Sequence, residues 1–320
     1  MIGKASSTAK LDKAPKTTKT AKVKSPPGWT LVWNDEFDGE QIDITKWDFD
    51  IGNGFFDYGS HTWIGGWGNE ELQYYTREPD NASVKNSLLT IRAVKETVHG
   101  CGYSSARLKS RQRDGTPLFT TCYGRVEISA KVPWGKGLWP ALWMLPQDNH
   151  YGGWPASGEI DLMEIAGENP HEVLNSIHFG SPGTDGRQMI THVHPLPGGG
   201  TVADWHLYAV EWEPGEIRFY VDGVHASTCS HWWSCSLTEG GKGVIARKEA
   251  DVNTWPAPFD QPFYLVMNVA VGGNFPGAPN PQTKFPAELV VDYVRVYKKK
   301  VGYRSAKPRG KGRMPWQKKR

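Results

Sequence analysis

The sequence predicts an all-β chain, an antiparallel sandwich or jelly roll. Apolar and polar residues alternate at period two in run after run, helical periodicity is nearly absent, and 36 Gly and 23 Pro break the chain into short segments. The runs that read as strands are 29–33, 87–93, 124–132, 138–145, 158–165, 173–179, 206–213, 216–221, 263–271 and 289–297. Val126, Ile128 and Ala130 alternate with Glu127, Ser129 and Lys131, as expected of a half-buried strand. Glu213-Pro214-Gly215-Glu216 joins two runs as a hairpin, and Asp222-Gly223 ends the second. The glycine-aromatic stretch from about 40 to 80 reads as loops over one rim of the sheet, where binding residues tend to lie. No internal repeat and no dividing linker is visible, so 28–297 reads as one domain.

Charge separates that domain from its flanks. Residues 1–27 hold seven Lys and one Asp, and residues 298–320 hold eleven Lys and Arg and no acid. With +3 overall, the body between them carries −14. Both flanks are rich in Lys, Ser, Thr, Pro and Gly and poor in large aliphatics, so both are expected to be disordered basic tails. The tails suit non-specific contact with polyanions or a solubilising role. An acidic body does not suit a specific nucleic-acid binder, since Lys and Arg neutralising phosphate drive that binding. No apolar run of 18 residues exists, so no membrane partner is expected. The N-terminus shows no signal-peptide core, and localisation stays open. A monomer is expected. Cys101, Cys122, Cys229 and Cys235 allow three pairings; Cys229–Cys235 with Cys101–Cys122 is the natural one, and free thiols are the alternative. No Cys or His spacing suggests zinc.

Fifteen Trp, 12 Tyr and 11 Phe exceed what one core needs. Flat rings pack on the CH-rich faces of sugars, so part of this aromatic content points to carbohydrate. The chemistry lies in Gly158-Glu159-Ile160-Asp161-Leu162-Met163-Glu164. On a regular strand Glu159 and Asp161 share a face and Glu164 points away. One extra residue at Leu162-Met163, a β-bulge, brings Glu164 back into phase. Four strand steps then separate the outer Cα atoms by roughly 13 Å. Side chains leaning together can approach the roughly 5–5.5 Å carboxyl separation of a retaining glycosidase. Asp161, between the two, supplies the charge or hydrogen bond that sets their pKa values apart.

At this point the chain resembles a known family. Ser157-Gly-Glu-Ile-Asp-Leu-Met-Glu164 is similar to the catalytic signature of glycoside hydrolase family 16 in its bulged, laminarinase-like form. Further blocks follow in family order. They are Trp67-Gly-Asn-Glu-Glu-Leu-Gln-Tyr-Tyr75, Tyr123-Gly-Arg-Val-Glu127, the 135–146 stretch, Tyr208-Ala-Val-Glu-Trp212, Pro262-Phe-Tyr-Leu265, Val271-Gly-Gly-Asn274 and Asp292-Tyr-Val-Arg-Val296. The resemblance implies a concanavalin-like β-jelly roll and retaining endo-hydrolysis of β-1,3-glucan, with mixed 1,3–1,4 glucan as a further substrate. The alternatives are an inactive glucan-recognition protein on the same scaffold, or an enzyme for another β-glucan or galactan. Three retained acids speak against the first. The resemblance gives Glu159 the nucleophile's place, Asp161 the assisting acid's and Glu164 the acid/base's. It makes Trp139 and Trp143 the aromatic floor, Arg107 the cleft arginine, Asn69 and Glu71 the polar rim, and His178 the histidine one strand on. It also offers a structural calcium with Glu36 and Asp292 as side-chain ligands, hard oxygens that suit that ion. Catalysis itself needs no cofactor. Two departures stand out: Phe275 follows Gly-Gly-Asn where Trp is usual, and 228–236 looks like an insertion.

Overall fold

A computed structural model describes residues 23–57, 61–183, 186–239 and 242–317. Two large antiparallel sheets face each other. The seven-stranded sheet runs, from edge to edge, Arg187–Pro195, Glu172–Gly180, Glu159–Glu164, Leu138–Pro146, Phe263–Val271, Arg107–Lys109 and Asp48–Asp50. The eight-stranded sheet runs Val224–Cys229, Glu216–Val221, His206–Glu213, Gly124–Lys131, Ala287–Lys299, Leu88–Ala93 and Ala82–Lys85, with Trp29–Asp35 also paired to Ala287–Lys299. No helix among the described residues is long and apolar enough to cross a membrane.

Alternation builds the core as predicted. Val126, Ile128 and Ala130 of one sheet meet Leu142, Met144 and Ile160 of the other in one buried cluster. Burying such side chains stabilises by roughly 1.5–3 kcal/mol each for the larger ones. Phe263–Val271 is buried along its whole length, which fits a sequence that is apolar but for Asn268. Its one polar member, Asn268, is held by Trp143 and Tyr75 on the outer face.

All ten predicted runs are strands, with ends moved by a few residues. The 40–80 stretch is less loop-like than expected. It contains Asp48–Asp50, the hairpin Gly54–Asp57 with Thr62–Gly65, and Gln73–Tyr75. The tip of that hairpin, 58–60, lies outside the described residues, as does most of the N-terminal basic stretch, 1–22.

The basic C-terminus corrects the expectation of a disordered tail. The last strand continues through Lys299, and the segment after it lies along the 228–236 insertion. Gly310 N–H donates to Ser230 O at 2.6 Å, Trp255 Nε1–H donates to Lys307 O at 2.7 Å, and Met314 is buried. A Cβ on Gly312 would lie 2.1 Å from the His231 ring, so only glycine permits this approach. Lys307 pairs with Glu216 and Arg309 with Glu249. Few aliphatics were available, but one Met, close glycine contacts and paired cations suffice to dock the segment. All four cysteines are free thiols, so neither predicted pairing forms, and burial pushes the Cys229 thiol up to about 12.

Candidate active site

The catalytic-type acids stand on the Glu159–Glu164 strand, on the face turned away from the core. Gly158 leads into it at φ +88, and a Cβ there would lie 2.9 Å from Phe259, so glycine is required at the entry. The predicted bulge is present. Trp143 pairs with Asp161 and Leu142 with Met163, which leaves Leu162 as the extra residue. On the other side Asp161 pairs with Ser176 and Glu164 with Leu174, three steps against two. Leu162 and Met163 therefore both enter the core, while Glu159, Asp161 and Glu164 share the outer face. The buried amide of Asn175 donates to the displaced Leu162 carbonyl at 2.5 Å, replacing the ladder bond the bulge removes.

Each outer glutamate accepts one indole N–H. Trp139 Nε1 lies 2.8 Å from Glu164 Oε1, and Trp154 Nε1 lies 2.6 Å from Glu159 Oε2. Asp161 is buried between them and shares a hydrogen bond with Glu159. His178 Nε2 lies 3.3 Å from Asp161 Oδ2 and 3.9 Å from Glu159 Oε1. Burial holds Asp161 well above its ordinary 3.8, and the charges of Glu159 and Glu164 push the same way. Burial also raises Glu164, against the pull of the Trp139 N–H. The strand thus carries acids that keep protons at a pH where free carboxylates have lost theirs.

Across the neighbouring strands lies a polar and aromatic surface. Arg107 sits between the rings of Trp67 and Trp143, 4.8 Å from each centroid, with Nε 3.0 Å from Asp50 Oδ2. Lys109 meets the other oxygen of Asp50 at 2.5 Å. Trp143 Nε1 donates to Asn268 Oδ1 at 2.7 Å, and Asn268 donates onward to the Tyr75 hydroxyl at 3.1 Å. Glu71 accepts from Asn69 at 3.1 Å and from Gln73 at 2.7 Å, and burial raises its pKa. The Gly272-Gly273 pair lets this rim close down. A Cβ on Gly273 would lie 2.8 Å from Asn69 O, and Asn274 N–H donates to that same oxygen. Phe275 packs against Trp139 with centroids 5.2 Å apart.

All nine residues expected in the cleft thus lie on this face or its rim. Sequence reasoning missed Trp154, Asp50, Tyr75 and Asn268. Trp154 precedes Glu159 by five residues in a loop, so strand periodicity carries no sign of it. Asp50 lies on a three-residue strand too short to show alternation.

Of the two residues expected to ligate calcium, Glu36 already has a cationic partner. Both oxygens of Glu36 accept from Arg295, at 2.8 Å each, a fork-to-fork ion pair that satisfies the carboxylate. Among the described residues, Glu159, Asp161 and His178 form the one group of three such side chains close enough to share an ion, and burial raises the pKa of Asp161 there.

Residues 69–232, the stretch holding the bulged strand and both indole partners, match the pattern described as Glycosyl hydrolases family 16. The chain belongs to that family. It is 43% identical over 283 residues to the "Beta-glucanase" of Rhodothermus marinus, covering 85% of this chain and 86% of that one. It is 40% identical over 282 residues to "Glucan endo-1,3-beta-glucosidase A1" of Niallia circulans, covering 85% of this chain but only 38% of that longer protein. The laminarinase catalytic domain of Thermotoga maritima superposes with a TM-score of 0.67 at 38% identity, over 84% of this chain and 98% of that domain. The family match begins after the 54–65 hairpin and includes the start of the insertion.

Proposed function

We propose that this chain hydrolyses β-1,3-glucan internally, with retention of anomeric configuration, and that it tolerates mixed 1,3–1,4 chains. The observation that carries the reading is the bulge-phased trio of acids, in which the two outer glutamates each hold one indole N–H. By name, one relative is a glucan endo-1,3-beta-glucosidase, another a beta-glucanase and a third an endo-1,3-1,4-beta-glycanase. Glu159 attacks the anomeric carbon while the carboxyl of Glu164 gives its proton to the departing glycosidic oxygen. Glu164, now a carboxylate, takes a proton from water as that water attacks the same carbon and releases Glu159. Asp161, kept protonated, donates to Glu159 and so spares the strand a second negative charge. Trp139 and Trp143 floor the cleft, and Arg107, Asn69 and Glu71 grip sugar hydroxyls. His178 braces Asp161. Binding is to the polysaccharide, with the cleft open at both ends.

Proton NMR of the first products from laminarin tests the mechanism. The β-anomer should appear before mutarotation, together with a spread of oligosaccharides. An initial α-anomer means inversion and rejects the double displacement; glucose alone in the first minutes means exo-attack and rejects the open cleft.

A further inference from the structure

The strand registers carry the catalytic face to one edge of the seven-stranded sheet. A transverse row runs Arg107, Asn268, Ala141, Glu164, Leu174 and Val193, each residue opposite the next. The row beside it runs Trp143, Asp161, Ser176 and Thr191, and a third runs Glu159, His178 and Met189. Residues opposite one another on paired strands point to the same face. Met189, Thr191 and Val193 of the edge strand Arg187–Pro195 therefore share the outer face with the three acids, while Ile190 between them packs on the core. Side-chain contacts agree. Thr191 Oγ1 lies 3.0 Å from Ser176 Oγ, and the Arg187 guanidinium lies 5.7 Å from the centre of the Trp154 ring, whose N–H is held by Glu159.

Trp143 and Arg107, which grip sugar on one side of the acids in the reading above, stand on different strands, so a chain bound to both runs across the sheet. Continued past the acids, that line crosses Leu174 and ends on the edge strand, two strand spacings or roughly 10 Å further. There Met189 and Val193 are 56% and 53% exposed, and with Leu174 they make an apolar surface interrupted by the Thr191 hydroxyl. Apolar groups with a few placed polar ones suit a sugar ring, which shows CH groups on its faces and hydroxyls on its rim. Two exposed side chains fall far short of the roughly 1,200–2,000 Å² that a lasting protein partner buries. We propose that Met189 and Val193 carry the glucan on the side of the cleaved bond opposite to Trp143 and Arg107, and so help to choose which bond of the chain is cut. This rests on the glucan-hydrolase reading.

Laminarihexaose labelled at its reducing end tests it, because the label tells which bond each product comes from. Met189→Gln and Val193→Thr keep length or shape and remove the apolar contact, and a double variant combines them. In the double variant the ratio of early cuts should move roughly three- to tenfold toward registers that leave the edge strand empty, the size expected for one or two lost apolar contacts. In a Glu159→Gln background, retardation by laminarin in native gels should weaken by a similar factor. Val224→Thr, at an equally exposed valine on the edge of the other sheet, should change neither. An unchanged cut ratio overturns the assignment. So does an equal slowing of every cut, which would mean that the strand only braces Ser176 and His178. Self-association of the wild-type chain that the double variant abolishes also overturns it, making the patch a contact between copies. A wild-type chain that cuts neither laminarin nor the hexaose sinks the glucan reading itself, before any variant is made.

Discussion

At the scale of single residues, the protons on Glu164 and Asp161 decide what the site can do. Glu164 must be protonated to act on the leaving oxygen, so kcat/KM should fall as pH rises through its raised pKa. The Trp139 N–H opposes that rise, since it stabilises the carboxylate. Trp139→Phe should therefore move the alkaline limb of the pH–rate profile to higher pH, besides slowing the reaction. A limb that stays in place would dissociate it from Glu164. Asp161 gives a stability counterpart. Its folded pKa lies above the unfolded value, so the stability linked to its proton is complete below about 3.8 and declines as pH climbs toward the folded pKa. Asp161→Asn should thus raise Tm near pH 8, show no such gain near pH 3, and still lose activity. Glu159→Gln keeps the shape and removes the nucleophile. Turnover should drop by several orders of magnitude with Tm little changed, as happens when a covalent catalyst is deleted. If Glu164→Ala is rescued by azide, the β-glycosyl azide is the expected product, and the α-azide would reverse the two glutamates' roles.

At the scale of elements, the bulge converts a one-dimensional spacing into a site. Three acids over six residues cannot share a face on a regular strand, so the bulge at Leu162-Met163 was legible from the sequence alone. Its support was not: Asn175 sits on the next strand and looks like any polar strand residue until the register puts it opposite Leu162. Asn175→Ala should cost about 1–3 kcal/mol, the penalty of a buried carbonyl left without its donor. Activity should fall further than that stability loss explains, because the phase of Glu164 depends on the bulge. Full activity in a destabilised variant would show that the bulge holds without Asn175. Long alternating strands announced themselves for the same physical reason that they fold, one face being buried. Asp48–Asp50, Gly54–Asp57 and Thr62–Gly65 are too short and too rich in Gly and aromatics to alternate visibly. The edge strand Arg187–Pro195 has its pattern blurred by two histidines and by exposed Met189 and Val193. The pairing of the Glu36 carboxylate with Arg295 was not legible, because the two lie 259 positions apart.

At the scale of the whole molecule, the two basic flanks have to be considered apart, because one of them is built into the fold. The C-terminal segment backs the 228–236 insertion through Ser230 and His231. That insertion reaches the catalytic strand, since Ser234 Oγ–H donates to Ala156 O at 2.6 Å, just ahead of Gly158 and Glu159, and Trp233 packs edge-on against Phe179. Removing residues 300–320 should therefore destabilise the protein, even though the described residues 300–317 contribute no side chain to the cleft. Exposing the Met314 slot alone should cost about 1.5–3 kcal/mol. The Trp255 and Ser230 groups that lose their partners add to this. Laminarin hydrolysis well below the transition should persist at a wild-type kcat, because Glu159, Asp161 and Glu164 keep their own strand pairing. Met314→Ser in the full chain should reproduce part of the Tm loss without removing any charge. Thermal unfolding of the truncated chain at two salt concentrations separates packing from the Lys307–Glu216 and Arg309–Glu249 pairs: an unscreened, salt-independent loss points to Met314 and the glycine contacts. A truncated chain that melts with the full-length protein would show that the segment rests on the insertion without stabilising it.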